Sequence, residues 1–309
     1  MMNPHVFAGN PLNRGESERR DEEAISNRAK DSTSKFLPMK DLNVLVTVNA
    51  QPELGWLSFD ELTQIGATSN PIFLGLLEET AYFAIDVSNL DDTVSQLQSS
   101  GNRKFEDARA AAEMIAGPEA GILAQARSQL DWHNRNGFCS VCGHRTTMQR
   151  AGQTRQCVKC EAHNYPRTDP VIIAVVSDKN RCLLGQSRGR MASSNRYSAL
   201  AGFVDQGESI EEAVTREVME EAGIRIKNVR YHSSQPWPFP SSLMIGCHAE
   251  ALTTDISMDA EEMTDVRWFE REEVLLALEG KSEKLAVPGP IAIAHHLIKA
   301  WATNESKSA

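Results

Sequence analysis

The sequence of 309 residues predicts an α/β protein. A layered α/β/α sandwich with a mixed sheet is expected over residues 165–309, after a cysteine ribbon over 137–164 and a small α+β domain over 1–136. Three observations carry that expectation. After Val171, short apolar strands alternate with helical stretches, the order that packs helices on both faces of a sheet. Two Cys-x2-Cys pairs interrupt the chain midway. Ahead of them, strand-length runs come first and two helices follow.

In the first block, residues 13–34 are dense in charges of both signs. They read either as exposed helical turns or as a partly disordered stretch. Strands are expected at Leu42–Val48, Trp56–Phe59 and Tyr82–Val87, separated by polar and Gly/Pro turns. Helices are expected over Phe105–Ile115 and Glu119–Asn134, broken at Gly117-Pro118. In the second helix Ile122, Ala126 and Leu130 recur at helical spacing, so one face packs. No residue of this block declares a chemistry, and the sequence shows no internal repeat.

The ribbon is defined by Cys139-x2-Cys142 and Cys157-x2-Cys160, with fourteen residues between the pairs and Gly143 supplying a tight turn. That spacing suits a four-thiolate structural Zn²⁺ site, closed to substrate and able to fold a segment without its own core. Two disulfides would need an oxidising compartment, and no secretory signal accompanies the pairs. A redox Cys-x2-Cys is the other alternative. Cys182 and Cys247 lie in apolar stretches and read as buried thiols.

The third block opens with Tyr165-Pro166 and continues into an apolar strand at Val171–Val176 and another at Arg181–Gln186. Leu200-Ala201-Gly202-Phe203 reads as a strand running into a Gln206-Gly207 turn. Ser209, with Glu212 three residues on, is a capping-box signature, and Gly223 suits the left-handed position past a helix end. Between them Glu217, Glu220 and Glu221 stand at i, i+3 and i+4 and so share one helix face. Like charges this close repel unless a cation sits among them. Carboxylate oxygens suit a hard ion such as Mg²⁺ or Mn²⁺. Arg216 is placed to orient a glutamate through charge-assisted hydrogen bonds. The plainer alternative is a solvated acidic face carrying an Arg216–Glu220 pair. Further strands are expected near Val229–Tyr231, Leu243–Leu252 and Asp265–Phe269, with helices near Arg271–Leu278 and Ile291–Ala302.

A second signal follows at Ser234-Gln235-Pro236-Trp237-Pro238-Phe239-Pro240-Ser241-Ser242. Alternate prolines cannot donate to a ladder, which excludes a central strand, and each holds its predecessor extended. The result is a stiff segment with two aromatics, suited to stacking a flat heteroaromatic ring. A Pro-rich surface loop or a polyproline ligand for a partner domain is the competing reading.

Read together, Gly202-x5-Glu208-x7-Arg216-Glu217-Val218-x-Glu220-Glu221-x-Gly223-Ile224 matches the Nudix box at every defined position. The segment after it resembles the SQPWPFPxS array of the NADH pyrophosphatase family of Nudix hydrolases, with Ser241 at the variable place. The resemblance covers Cys139 to about Ile298 and reaches more weakly into the first block, through Tyr82–Asp86. It implies divalent-metal ligands at Glu217, Glu221, Glu262 and the backbone carbonyl of Ala201. Glu261 adjoins Glu262, and counting back from Trp268 favours Glu262. It implies substrate contacts at Gln235, Pro236, Trp237, Pro238, Phe239, Pro240, Ser241 and Ser242, at Tyr165 and at Ala294, with Phe203 as a stacking partner. On sequence alone, Tyr165 reads nearly as well as a core tyrosine. Glu217, Glu220, Glu221 and Arg216 are the implied catalytic group, with Glu220 or Glu221 as base. The implied reaction is hydrolysis of the diphosphate bond of NADH or NAD⁺ to NMN(H) and AMP, with NAD-capped RNA as a second substrate and a homodimer as the working state. Alternatives are an ADP-ribose or dinucleoside polyphosphate pyrophosphatase, and a non-catalytic nucleotide-sensing or RNA-binding Nudix module.

A formal net charge of −10 argues against general nucleic-acid affinity, which needs clustered Lys and Arg. No run approaches the ~20 apolar residues of a membrane span. With no signal-like start, the cytosol is the expected location.

Overall fold

The computed structural model describes residues 5–90, 97, 102–115, 117–188 and 195–304. The chain forms two compact units, Met1–Thr168 with Trp237–Ser241, and Asp169–Pro236 with Ser242–Ala309. Among the described residues no helix is long and apolar enough to cross a membrane.

In the first unit the charged stretch is ordered. A 3-10 turn at Glu18–Arg20 leads into α1 (Glu22–Ala29), whose start is capped by the Asp21 carboxylate accepting from the Ala24 N–H. Of the two readings, exposed helical turns describe most of this stretch, and the clearest exception is Arg19, which is 2 % exposed. Its guanidinium donates to the carbonyls of Arg14 and Phe73 and to the Gln153 amide, so the buried charge is fully solvated by protein.

The sheet of this unit uses β1 (Lys35–Lys40), β2 (Asn43–Thr47), β3 (Glu53–Leu54), β4 (Ile72–Leu77), β5 (Thr80–Asp86) and β6 (Arg103–Glu106). Helices α2 (Phe59–Gln64), α3 (Ala108–Met114) and α4 (Glu119–Arg135) accompany it. Two expectations need correction. Trp56–Phe59 is not a strand: Leu57 makes one bridge to Phe36, then Ser58 and Glu61 close a capping box that starts α2. Phe105 belongs to β6 rather than to a helix, and Asp107 caps α3 just beyond it. The core gathers Phe36, Leu45, Phe73, Phe83 and Ile85 with α2's Leu62.

The ribbon lies within the same unit as a three-stranded sheet of β7 (Thr146–Gln149), β8 (Thr154–Cys157) and β9 (His163–Asn164).

The second unit is built on β10 (Asp169–Asp178), β11 (Arg181–Ser187), β12 (Leu200–Phe203), β13 (Ile226–Trp237), β14 (Ser242–Ala251) and β15 (Met263–Glu270). Three helices cover it: α5 (Ile210–Ala222), α6 (Arg271–Leu278) and α7 (Ile293–Ala302). Side chains of β10 alternate between faces, as a strand's period of two requires. Ile172, Ala174 and Val176 pack with Ala213, Val214 and Val218 of α5. Ile173 and Val175 pack instead with Val274 of α6 and Leu297 of α7. The sheet is mixed, with β10 parallel to β14 and antiparallel to β11. This is the expected α/β/α sandwich. The expected strand at Val229–Tyr231 is longer and runs through Pro236 to Trp237, which is tolerated because β13 is at the edge of the sheet.

The two sheets also share a wiring that the sequence conceals. In each, a hairpin (β1–β2, β10–β11) has one strand parallel to a later strand (β5, β14), while its other strand pairs antiparallel with the last one (β6, β15). A capped helix follows each hairpin, and two helices close each copy. A repeat is therefore present in topology, though not in sequence.

Candidate active site

The acidic turn is assembled by local rules. Ser209 caps α5 by accepting from the Glu212 N–H at 3.2 Å, and the Glu212 carboxylate accepts from the Ser209 N–H at 2.7 Å. Gly223 ends the helix at φ 69°, in the left-handed region. In the first unit, α2 begins with the same kind of box and is followed by Gly66 at φ 69°, but it has six residues against thirteen in α5. Every residue from Arg216 onward thus lies beyond the length that α2 reaches.

Arg216 is the hub of the turn. Its guanidinium donates to both oxygens of Glu208 (2.6 and 2.9 Å), to Glu217 Oε1 (2.8 Å), to Glu220 Oε2 (2.9 Å) and to the Phe203 carbonyl (2.8 Å). The bidentate pair with Arg216 pulls the Glu208 carboxyl down to about 2. Glu208 had no role assigned from sequence beyond its place in the box. Only a long-range partner eight residues away reveals what it does.

The three glutamates do not share one environment, although they share a helix face. Glu220 is exposed, while Glu217 and Glu221 are 8 % and 7 % exposed. Burial raises the Glu217 carboxyl above its usual range against the pull of Arg216. Glu221 is pushed up to about 8 by burial first, then by the charges of Glu217 and Glu262, while a hydrogen bond from the Ala201 backbone opposes the shift. Glu221 Oε2 is buried and has no hydrogen-bond partner. A Cβ on Gly202 would overlap the Glu217 carboxylate, so only glycine leaves that group its place. Two buried, mutually repelling carboxylates with an orphaned oxygen form a donor set that fits a hard divalent cation. Glu262 is exposed, and its charge is felt at both buried carboxyls. The side chain of Ala201 packs toward the α7 side of the sheet.

The proline-aromatic array divides between the units. Gln235 is fully buried in the second: its amide donates to the Ile291 carbonyl (2.7 Å) and accepts from the Ile293 N–H (2.8 Å), bracing the start of α7. Ala294, in the first turn of that helix, is buried in the same core. Pro236 and Ser242 flank the five residues that belong to the first unit. There the Trp237 and Phe239 rings meet edge-to-face at 5.3 Å, and each meets Phe7 in the same way. The Arg109 guanidinium stands 5.3 Å from the Trp237 centroid and 4.4 Å from that of Phe239, with Arg127 4.6 Å from Phe239. Arg127 also donates to the Pro238 carbonyl, and Ser128 to that of Pro240. Ser241 is half-buried. Neither arginine was legible as part of the array, because each comes from a helix more than a hundred residues earlier. Tyr165, 67 % exposed beside His163, is not a core tyrosine. Phe203 is 58 % exposed.

The four cysteines converge: Cys139, Cys142, Cys157 and Cys160 bring their Sγ atoms within 4.8 Å of one another, all as free thiols. Backbone N–H groups of Val141 and Lys159 point at Cys139 and Cys157 Sγ, each at 3.4 Å. N–H donation from Cys160 and Lys159 draws the Cys157 thiol down to about 6, toward thiolate. Four thiols converging on one point, rather than standing as two separate pairs, suit a tetrahedral thiophilic ion.

Comparison with known proteins matches residues 166–287 to the NUDIX domain and residues 33–132 to the NADH pyrophosphatase-like rudimentary NUDIX domain. The second match gives the duplicated wiring its counterpart in sequence space. NAD-capped RNA hydrolase NUDT12 of Macaca fascicularis is 50 % identical over 194 residues, 59 % of this chain and 42 % of that protein. This chain therefore spans less than half the length of that relative. NAD(P)H pyrophosphatase NUDT13, mitochondrial, of Mus musculus is 35 % identical over 94 % of this chain and 90 % of its own. Among solved structures, a NUDIX hydrolase from Nitrosomonas europaea has a TM-score of 0.44 at 20 % identity, covering 55 % of this chain and 93 % of that one.

Proposed function

This chain belongs to the Nudix hydrolase family, and from that premise we propose that it hydrolyses the diphosphate bond of NADH or NAD⁺ to NMN(H) and AMP. One observation carries the reading: the buried Glu217–Glu221 pair with an unpartnered Glu221 oxygen, held on a helix that Arg216 ties to its entry loop. Glu217 and Glu221, with Glu262 and the Ala201 carbonyl, would hold Mg²⁺ or Mn²⁺. When bound, such an ion supplies positive charge to the diphosphate oxygens and activates water for attack on phosphorus. Arg216 keeps Glu217 and Glu220 oriented, and Glu220 or Glu221 accepts the proton. The proposed substrate contacts are those of the resembling family: Phe203, Tyr165, the array from Gln235 to Ser242, and Ala294. Engagement of Trp237 and Phe239 by Arg109 and Arg127 supports a role for those arginines in orienting the shelf.

The remaining parts of the proposal follow from the same family. A Zn²⁺ on the four cysteines is its structural ion, and the chain divides at 1–136, 137–164 and 165–309. NAD-capped RNA is a second substrate, supported by the name of the Macaca relative. Large apolar side chains exposed on the ribbon (Phe138, Val141, Val158) support a homodimer. A cytosolic location completes the reading.

The test is AMP release from NADH, NAD⁺, ADP-ribose and NAD-capped RNA, with Mg²⁺ or Mn²⁺ supplied. Glu221→Gln is expected to lower turnover at least about a hundredfold with an unchanged circular dichroism spectrum. A strong preference for ADP-ribose would displace the NAD(H) assignment, and binding without cleavage under every metal would leave a sensing module.

A further inference from the structure

The second unit contains a cavity of about 280 Å³ remote from the acidic turn. It lies where β10 ends, at Ser177 and Asp178, and is bounded by β13, β14 and the C-terminal end of α7. On β10 the acidic turn's residues Gly202 and Ala201 pair with Ile172 and Ile173. The cavity starts at Ser177, about 13 Å further along the same strand at ~3.3 Å per residue. It is also on the other face. His248 stands opposite Val175, whose side chain belongs to the α7 side, while the alternate residues Cys247 and Ala249 face α5.

The lining runs against the charge of the whole chain. Lys179, Lys227, Arg230 and Arg271 face only Asp178 and Glu250, in a protein of net charge −10. Both acids are already engaged: Asp178 with Arg181 at 2.9 Å, and Glu250 with the Asn228 amide at 3.0 Å and more loosely with Arg230 at 3.9 Å, which leaves Lys179 and Lys227 as the uncompensated cations. Lys179 and Lys227 are exposed and join no ion pair among the described residues. At the inner wall His248 is 7 % exposed, and its Nε2 is buried without a hydrogen-bond partner. Burial, helped by the charges of His232 and Arg230, lowers its pKa to about 4, so the ring is neutral and retains an N–H to donate. Buried polar atoms left in this state need an explanation, and because His248 lines the cavity a small adjustment of the ring would bring an N–H to an anion seated among the cations.

From these observations we infer that the cavity is a binding site for a small phosphate-bearing anion, held by Lys179, Lys227 and Arg230 with His248 as the buried donor. At about 280 Å³ it stands at the small end of ordinary ligand pockets, which suits inorganic phosphate or the phosphate end of a mononucleotide. This site is independent of the hydrolytic reading.

The test follows the His248 ring by NMR in the full-length, histidine-labelled protein, assigned with His248→Gln. EDTA keeps divalent ions from the acidic turn, so phosphate binding there does not confuse the result. Inorganic phosphate and AMP are titrated separately. Saturable movement of the His248 signal is expected with phosphate, and tighter binding of AMP would assign a mononucleotide as the occupant, equal affinity free phosphate. Lys179→Glu combined with Lys227→Glu, both surface changes, should weaken binding at least about tenfold without altering the fold. No His248 response to either anion up to about 20 mM, or equal affinity in the charge-reversed protein, would overturn the site.

Discussion

Arg216 donates to three carboxylates and one carbonyl at once, so its replacement bears on Glu208, Glu217 and Glu220 together. Lysine keeps the charge but not the planar fork. Arg216→Lys is therefore expected to lower kcat/KM for NADH by about ten- to a hundredfold, with Tm shifted by only a few degrees. Gly202→Ala acts on the same carboxylate from the other side. A methyl group in the place of the Glu217 carboxylate must displace it, so activity should fall at least as far, while thermal melting reports a loss of about 1–3 kcal/mol. The glutamate trio was legible because i, i+3 and i+4 spacing is a property of consecutive residues. The different fates of its members were not, since burial of Glu217 and Glu221 depends on packing against the sheet. Gln235 shows the same limit. Its sequence context advertises an amide beside aromatic rings, yet both ends of that amide are bound to the backbone at α7.

At the level of elements, each cysteine knuckle places the residue after its second cysteine in the left-handed region: Gly143 at φ 72° and Glu161 at φ 61°. The sequence marks the first turn with glycine and hides the second behind a glutamate. Left-handed backbone costs a non-glycine residue about 1–2 kcal/mol. Glu161→Gly should thus raise the stability of the zinc-loaded protein by up to about 1 kcal/mol, net of the extra freedom glycine gains when unfolded, read as an increase in Tm. An unchanged or lower Tm would mean that the Glu161 conformation is not strained. The helix α5 could be read from Ser209 to Gly223 because caps at both ends are encoded by adjacent residues. Strands β1 and β4 escaped notice for the opposite reason. Pro38 sits inside β1, and the Ile72–Leu77 run is too short to distinguish a strand from a helix by periodicity.

Across the molecule, two buried histidines, His133 and His248, each weaken the fold as pH falls. His133, in the first unit, donates through Nε2 to the Gly152 carbonyl and receives Arg155 at Nδ1, both at 2.8 Å. Burial lowers its pKa, and that of His248 in the second unit, from 6.5 to about 4. Well above pH 6.5 neither ring binds a proton in the folded or the unfolded chain. As pH falls from 6.5 to 4 the unfolded chain takes up protons that the folded one refuses, so stability declines by about 1.4 kcal/mol per pH unit for each ring. Urea unfolding across that window should show the decline, and His133→Gln should remove one ring's share of the slope. The raised Glu221 carboxyl contributes with the opposite sign over much of this window, so the readout is the difference between His133→Gln and the parent: an identical slope in both would contradict the neutral assignment. The twofold wiring of the chain has its own consequence. Both copies start a helix with the same serine–glutamate device, but only the longer helix extends far enough to carry the acids. The shorter helix lacks the positions that hold those acids, so stabilising substitutions confined to α2 are expected to raise the melting point while leaving NADH turnover unchanged.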